Sequence, residues 1–521
     1  MKLKISHISD DRTINLALDT VSIGKQAIVF ANTKRSAEKT AEDISNKVKI
    51  ASTQLLNLSE QILHSLTRPT KQCLRLSRCI KKGIAFHHAG LTSKQKELIE
   101  DSFREGIIKI ICSTPTLAMG LDLPAFRTIL KDLRRYGPRG LQYIPVLEYL
   151  QMAGRAGRPN FDKEGQSIII APTENEKKKL HERYIQGEPE DIYSKLAVEP
   201  VLRTYVLSLI ASNFVNTKKE IFDFFSKTFW AFQFADTFEL HQIIEKMLNL
   251  LEEWEFLKSN KEDFTSADNL ENENYKATLS GKRVAELYID PLTAHNFIEC
   301  IKVAANKQIL PFSFLQMIAH SLELRPLLRV KTKEYDKIQE KLVEYDQFLL
   351  EQEPSIYEPE YTEFLNSIKT TIFFEEWINE KDEEYILENY DIRPGEIRAK
   401  LNIADWLLYT AEELARILKF QPLLKELVKL RIRIKNGVKE ELIPLLKLKQ
   451  IGRMRARKLY YNKIKTIKDV READLTKLIQ ILGKNLAINI KKQVGQDFDK
   501  MKIKENKRKG QISLNDYQLK G

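Results

Sequence analysis

The sequence predicts an α/β domain built on a parallel sheet, followed by a long and mostly helical remainder. Three observations predict it. Short apolar runs alternate with amphipathic stretches over the first third of the chain. That alternation stops after Pro172, where the charged stretch ENEKKKLHERY begins. Beyond it, helical periodicity dominates, broken by turn-rich and Pro-containing segments. A βαβ rhythm of this kind marks a parallel sheet with helices on both faces.

Taken in order, residues 26–31 (QAIVFA), 84–88 (IAFHH), 108–112 (IKIIC), 128–131 and 167–171 (SIIIA) read as buried strands. Residues 36–47 and 93–104 read as helices between them. Further on, Thr217-Lys-Lys-Glu220 forms a capping box ahead of the amphipathic run IFDFFSKTF. A helix at about 241–253 and a β-like stretch at about 256–280 complete the order helix, helix, wing, which suggests a winged helix. Residues 290–435 read as helices separated by turns such as EPSIYEPE. A compact basic unit of short helices follows, and the Lys-rich polar tail is expected to be flexible. The expected division is 1–172, 173–289 (linker and winged helix), 290–435, 436–500 and 501–521.

At 521 residues the chain has room for several domains, at about 100–200 residues each. Its apolar fraction of 43% is enough to bury sizeable cores. The net charge of +12 and pI near 9.1 suggest a polyanionic partner without saying which; a merely soluble basic protein is the alternative. Cys73, Cys79, Cys112 and Cys300 form no C-x-x-C pair, so no zinc ribbon, disulfide framework or other metal site is expected. No apolar run approaches the roughly 18 residues needed to span a bilayer. The polar N-terminus is no signal peptide, so a cytoplasmic protein without membrane contact is expected.

Four segments carry chemistry. Gln151-Met-Ala-Gly-Arg155-Ala-Gly-Arg158 sets Gln151, Arg155 and Arg158 at i, i+4 and i+7, one face of a helix aimed at one polyanion. Arginine suits phosphate because its planar fork donates two hydrogen bonds at fixed geometry. Upstream, Ser113-Thr114-Pro-Thr116-Leu-Ala-Met-Gly120-Leu-Asp122 follows a strand, and α/β sheets bind ligands at strand carboxyl ends. There Thr114 and Thr116 can donate hydroxyls to a nucleic-acid phosphate. Gly120 allows close backbone approach, and Asp122 can accept from a ribose or an arginine. Earlier still stand Phe86-His87-His88-Ala-Gly90-Leu and Ile28-Val29-Phe30-Ala-Asn-Thr33-Lys-Arg35.

These four segments, in this order, resemble motifs IV, IVa, V and VI of superfamily-2 helicases. QMAGRAGRP and FHHAGL are similar to the Ski-like branch, and residues 26 to about 496 resemble the archaeal Hjm-type and related HelQ-type DNA helicases. The resemblance implies that residues 1–172 are a second RecA-like domain. Arg155 and Arg158 match its arginine-finger positions, with Gln151 alongside, and Thr114 matches a strand-contacting threonine. Asp122 stands where this family more often has Asn. Residues 132–146, DLRRYGPRGLQYIPV, resemble the strand-separating β-hairpin; a plain surface hairpin is the alternative.

For the helical part the resemblance implies a ratchet domain. Its stacking aromatic aligns with Trp406, and its basic partner falls on Ala399, leaving Arg398 or Lys400 to replace it. Stacking suits a translocase because every base offers a π-face. Residues 447–468 hold nine Lys or Arg and no Asp or Glu. They resemble a helix–hairpin–helix, with Arg453, Arg455, Arg457 and Lys458 as phosphate contacts and Met454 in place of the second glycine. Gln511, Leu514 and Tyr517 make a partial sliding-clamp box, lacking its second aromatic at Gln518; a plain tail is the alternative.

The expected function is the C-terminal half or subunit of an ATP-dependent 3′-to-5′ DNA helicase, with ATP and Mg²⁺ as cofactors, acting on single-stranded, forked or stalled-replication DNA. A Ski-type RNA helicase subunit and a non-catalytic DNA-binding remnant are the alternatives. A phosphate-gripping loop needs G-x-x-x-x-G-K-[ST]. Gly24-Lys25 is followed by Gln26 and Gly281-Lys282 by Arg283, and Asp382-Glu-Glu-Tyr385 lacks the last residue of a DExH box. The Walker A and DExH half is therefore expected as a separate N-terminal polypeptide of a split gene; an artificial fragment is the alternative.

Overall fold

The structure, a computed structural model, describes residues 5–66, 69–118, 123–137, 140–157, 162, 164–234, 237–260 and 273–496. Five parallel strands form the main sheet: β1 (Ala27–Phe30), β2 (Ile84–His87), β3 (Ile110–Ser113), β4 (Arg127–Leu130) and β7 (Gln166–Ile169), in the order β2-β3-β1-β4-β7. The first four are buried along their whole length, as their unbroken apolar runs require. β7 is an edge strand and is less covered.

Six helices accompany the sheet: α1 (Arg12–Ser22), α2 (Lys34–Ser45), α3 (Thr53–Leu63), α4 (Lys71–Ile80), α5 (Ser93–Arg104) and α6 (Val146–Ala153). Side chains start most of them. Thr33, Ser52, Thr70 and Thr92 each accept a backbone N–H from the first turn, and Thr92 with Gln95 completes a capping box. Arg127, 1% exposed inside β4, donates to Leu16, Asp19 and Thr20 of α1 and to Gln166 of β7. A buried guanidinium is tolerable only when its donors are met in this way.

Between β4 and α6 stands a hairpin of β5 (Arg134–Gly137) and β6 (Gly140–Tyr143), with Arg134 opposite Tyr143. Its base is held by Ile144 N–H donating to Leu133 (2.8 Å) and by the Tyr184 hydroxyl donating to Ile144 (2.8 Å). α7 (Glu174–Leu180) runs into a single π-turn, His181–Ile185, which leads out of the sheet domain.

The next unit contains α8 (Glu199–Ala211), α9 (Lys218–Ser226), α10 (Phe229–Phe234) and α11 (Thr237–Glu253), then the two-stranded wing β8 (Leu257–Ser259) and β9 (Tyr275–Ala277). The Thr217–Glu220 capping box is present at the start of α9. The helical array holds α12 (Leu279–Leu287), α13 (Pro291–Ala304), α14 (Pro311–Ala319), α15 (Tyr335–Tyr345), α16 (Tyr361–Ile378), α17 (Glu383–Tyr390), α18 (Pro394–Ile417) and α19 (Gln421–Asn436). Winged helix and array share one continuous apolar core, running from Leu202 and Phe225 to Leu407 and Ile434. The sheet domain has a core of its own. A third core, around Leu442, Leu459 and Ile490, holds the C-terminal unit of α20 (Arg453–Tyr461), α21 (Ile467–Glu472), α22 (Leu475–Leu482) and α23 (Lys484–Gln493).

Gly437 ends α19 in the left-handed region, at φ +63°, with its N–H donating to the Arg433 carbonyl (2.7 Å). A Cβ there would lie 2.7 Å from the Trp377 ring. Gly437→Ala combines left-handed strain with a clash against that ring, and is expected to destabilise by roughly 2 kcal/mol or more. The measurement is a urea-unfolding midpoint; no downward shift would contradict this account of the helix end.

Candidate nucleic-acid and nucleotide interface

The motif-bearing loops meet at the carboxyl ends of β2 and β3. Ser113 donates its hydroxyl to the His87 carbonyl (2.9 Å), and Thr114 N–H donates to the same carbonyl (3.3 Å). A short 3₁₀ turn, Pro115–Ala118, follows. Thr114 is 8% exposed and shares a 2.9 Å hydrogen bond with the exposed Thr116. Arg155 closes the group, because its Nε donates to the Ala118 carbonyl at 3.1 Å and its Nη2 donates there too. Ala125 and Ala156 bridge in parallel, with Gly157 N–H on Ala125 and Ala125 N–H on Arg155.

One expectation fails here. Gln151 and Arg155 do not share a helical face, because α6 ends at Ala153 with Gly154 as its C-cap. Gly157, at φ +97°, turns the backbone toward Ala125. Glycine's weak helical preference ends the helix here, and Gly157 packs closely against Gly165. Gln151 stays on the helix, and its buried Oε1 has no partner among the described residues. Arg158, Gly120 and Asp122 lie outside the described residues, as do the tail positions Gln511, Leu514 and Tyr517.

Sequence reasoning missed Glu38 of α2. It is 3% exposed, and its carboxylate accepts from His88 Nε2 (3.1 Å), Arg75 Nη1 (2.7 Å) and Arg393 Nε (3.0 Å). Burial alone would raise its pKa, but the His88 hydrogen bond and the two guanidinium groups outweigh burial and hold it far below the usual carboxylate range. His88 in turn accepts from Gly90 N–H (3.1 Å), which fixes the turn of FHHAGL. Nothing local in the sequence marks Glu38, since Arg393 lies 355 positions away.

The hairpin's Arg134 lies over the Tyr143 ring at 4.7 Å and donates to its hydroxyl (2.7 Å), while Leu141 is 52% exposed. Trp406 of α18 is half-buried, and its Nε1 donates to the Leu287 carbonyl (3.1 Å), which fixes the indole's orientation. Arg398 is exposed; Lys400 is tethered to the Pro326 carbonyl (2.6 Å), and burial lowers its pKa.

In the basic unit the cations divide. Arg455, bonded to the Gln450 carbonyl (2.8 Å), and Lys458 are exposed beside Gly452, the N-cap of α20. Arg453 donates to the Lys381 carbonyl (2.6 Å) and lies 5.3 Å from the Trp377 ring. Arg457, expected on phosphate, grips Glu380 with two 2.7 Å bonds and Glu441 with a third at 2.7 Å. It faces the helical array because Glu380 ends the preceding turn there.

The comparisons with known proteins agree with this layout. The "Helicase conserved C-terminal domain" model matches residues 11–160, the "Helix-turn-helix domain" model 165–258, and "Archaeal helicase, domain 4" 312–437. The ATP-dependent DNA helicase Hel308 of Methanococcus vannielii is 37% identical over 96% of this chain and 69% of its own length. The protein of that name from Pyrococcus horikoshii is 36% identical over 97% of this chain and 68% of its own, and that from Pyrococcus abyssi 37% over 95% and 67%. No helix among the described residues is long and apolar enough to cross a membrane.

Arg457→Ala leaves the Glu380 carboxylate, 13% exposed, without its guanidinium. The expected cost to docking of the C-terminal unit is about 3 kcal/mol, read as faster amide exchange along Arg453–Tyr461. Burial would raise the Glu380 pKa, yet Arg457, the Lys439 N–H and Arg453 bring it below its ordinary value. A depressed carboxylate stabilises above its unfolded pKa and loses that contribution as pH falls through the folded value. Docking should therefore loosen as pH drops below the glutamate range; exchange rates in Arg453–Tyr461 that track the rest of the chain under acid would refute this.

Proposed function

The chain belongs to the Hel308 family of ATP-dependent DNA helicases, and from that premise we propose that it is the arginine-bearing half of a 3′-to-5′ motor on forked or stalled-replication DNA. The observation that carries the reading is the bonded series His87–Thr114 and Ala118–Arg155. It sets the strand-contacting loop and the arginine-bearing turn in one rigid junction, so a change at the nucleotide is felt at the DNA.

ATP supplies the phosphoryl-transfer energy when bound. Among the described residues no group of three His, Cys, Asp or Glu is placed to hold a metal. No G-x-x-x-x-G-K-[ST] run stands in the sequence, and in this reading the phosphate-gripping loop and the Mg²⁺ ligands come from a separate N-terminal RecA-like polypeptide. This chain's part is to present Arg155, with Arg158 and Gln151, to the γ-phosphate, and Gly120 and Asp122 to the nucleotide, where positive charge offsets the charge spread over the transferring group. Thr114 and Thr116 hold the strand, Trp406 stacks on a base with Arg398 beside it, and the β5–β6 hairpin parts the duplex. The α20 N-terminus, with Arg455 and Lys458, holds backbone phosphate through N–H groups and charge. That arrangement favours DNA over RNA, whose A-form grooves are shaped differently.

The chain alone is expected to bind single-stranded and forked DNA, more weakly as salt rises, and to leave ATP intact. Adding a RecA-like domain with a phosphate-gripping loop should restore DNA-stimulated hydrolysis, and Arg155→Ala should remove it. Robust hydrolysis by the chain alone, or equal affinity for RNA and DNA of one sequence, overturns the proposal. Trp406→Ala should cost about 1–3 kcal/mol of single-strand binding beyond the stability lost with its packing; a lowered melting temperature with unchanged strand binding would make it a packing residue only.

A further inference from the structure

Helix α18 belongs to two bodies at once. Its middle, from Ile397 to Ala415, lies in the core shared with the winged helix. Its N-terminus touches the sheet domain instead. There Gly395 N–H donates to the Gly90 carbonyl (3.0 Å), and Arg393 reaches past the Gly90 turn to Glu38 (3.0 Å). Two missing side chains permit this approach. A Cβ on Gly395 would fall on the carbonyl oxygens of Ala89 and Leu91, and one on Gly90 would fall on the Arg393 side chain. Both surfaces are thus cut for each other to within one carbon atom.

Charge frames the contact. The sheet domain offers Lys34, Arg35 and Lys71, which pair with Glu396, Asp391 and Glu388 respectively; Arg35–Asp391 is 2.9 Å. At the centre the sign reverses, with Arg393 of the array entering the carboxylate site of Glu38. A reversed central pair admits one registration, since sliding the surfaces would set Arg393 against the basic ring. A gap of about 330 Å³ beside it is lined by Lys71, Arg75, Glu384 and Arg393 together with the apolar Leu387 and Ile392.

We propose that Arg393, seated through Gly90 and Gly395 onto Glu38, is a positioning residue that registers the DNA-facing helix α18 on the motor domain, and so converts motor movement into strand movement. Resting on the function proposed above, it adds the element that transmits the stroke. Trp406 stands eleven residues beyond Gly395, about 17 Å along an unbroken helix. An error of seating at one end becomes an error of base position at the other.

The test uses the assembled helicase, this chain with its phosphate-gripping domain. Arg393→Ala should keep DNA-stimulated ATP turnover within about twofold while base pairs opened per ATP fall about tenfold, because positioning is lost and hydrolysis is not. Arg393→Lys should recover part of the loss. Gly395→Ala changes no charge and should give the same uncoupling, which guards against a mere electrostatic or folding effect. At the rim, Arg35→Asp and Asp391→Arg should each impair coupling, and the double reversal should restore it. Turnover and unwinding that fall in equal proportion, or coupling left unchanged in both Arg393→Ala and Gly395→Ala, overturns the proposal. A wild-type assembly that hydrolyses ATP but opens no duplex instead removes the function on which it rests.

Discussion

A carboxylate with almost no exposed surface sits where four segments of the chain converge. Taking such a charge out of water costs several kcal/mol unless donors replace the solvent. Glu38 therefore requires α2, α4, the FHHAGL turn and the start of α18 to arrive together. Once they have, the direction in which α18 leaves the sheet domain is set. The position of Trp406 on that helix follows. The same carboxylate orients His88, which braces the turn carrying Gly90.

The molecule assigns different forces to different joints. Within the sheet domain and within the array, apolar packing does the holding. Between them, and again between array and C-terminal unit, charged pairs do: Arg393 with Glu38, and Arg457 with Glu380. Ionic contacts are directional and give register, whereas apolar area is indifferent to small slides. A motor needs registered joints between bodies that are each stiff. Ion pairs also occur inside the bodies, as with Arg127 and Asp19 in the sheet domain and the bidentate Arg203–Asp290 pair where α8 meets the start of α13.

Much of this was legible in the residues. The strands, α5, the Thr217 capping box, the hairpin and the wing follow from apolar period, caps and turns, which are local signals. The interruption after Ala153 was misread, because spacing alone favours a continued helix and only the bridge to Ala125 shows where Gly157 turns. Arg457 looked like its neighbours Arg455 and Lys458, yet its partner is a glutamate seventy-seven positions away. Lys34 and Arg35 stand in the segment that resembles motif IV, and they face Glu396 and Asp391. In each case a distant residue decided the outcome, and one sequence carries no record of distance.

The core shared by winged helix and helical array has a further consequence. Phe225, Leu251 and Val284 pack in one apolar body with Phe297, Leu407 and Leu414. Neither part is a bead on a string. Exchanging the winged helix for another of the same outline would leave half a core unmatched. The two should therefore unfold as one cooperative block. The C-terminal unit, with its own small core and ionic fastening, is the piece of this chain most open to replacement.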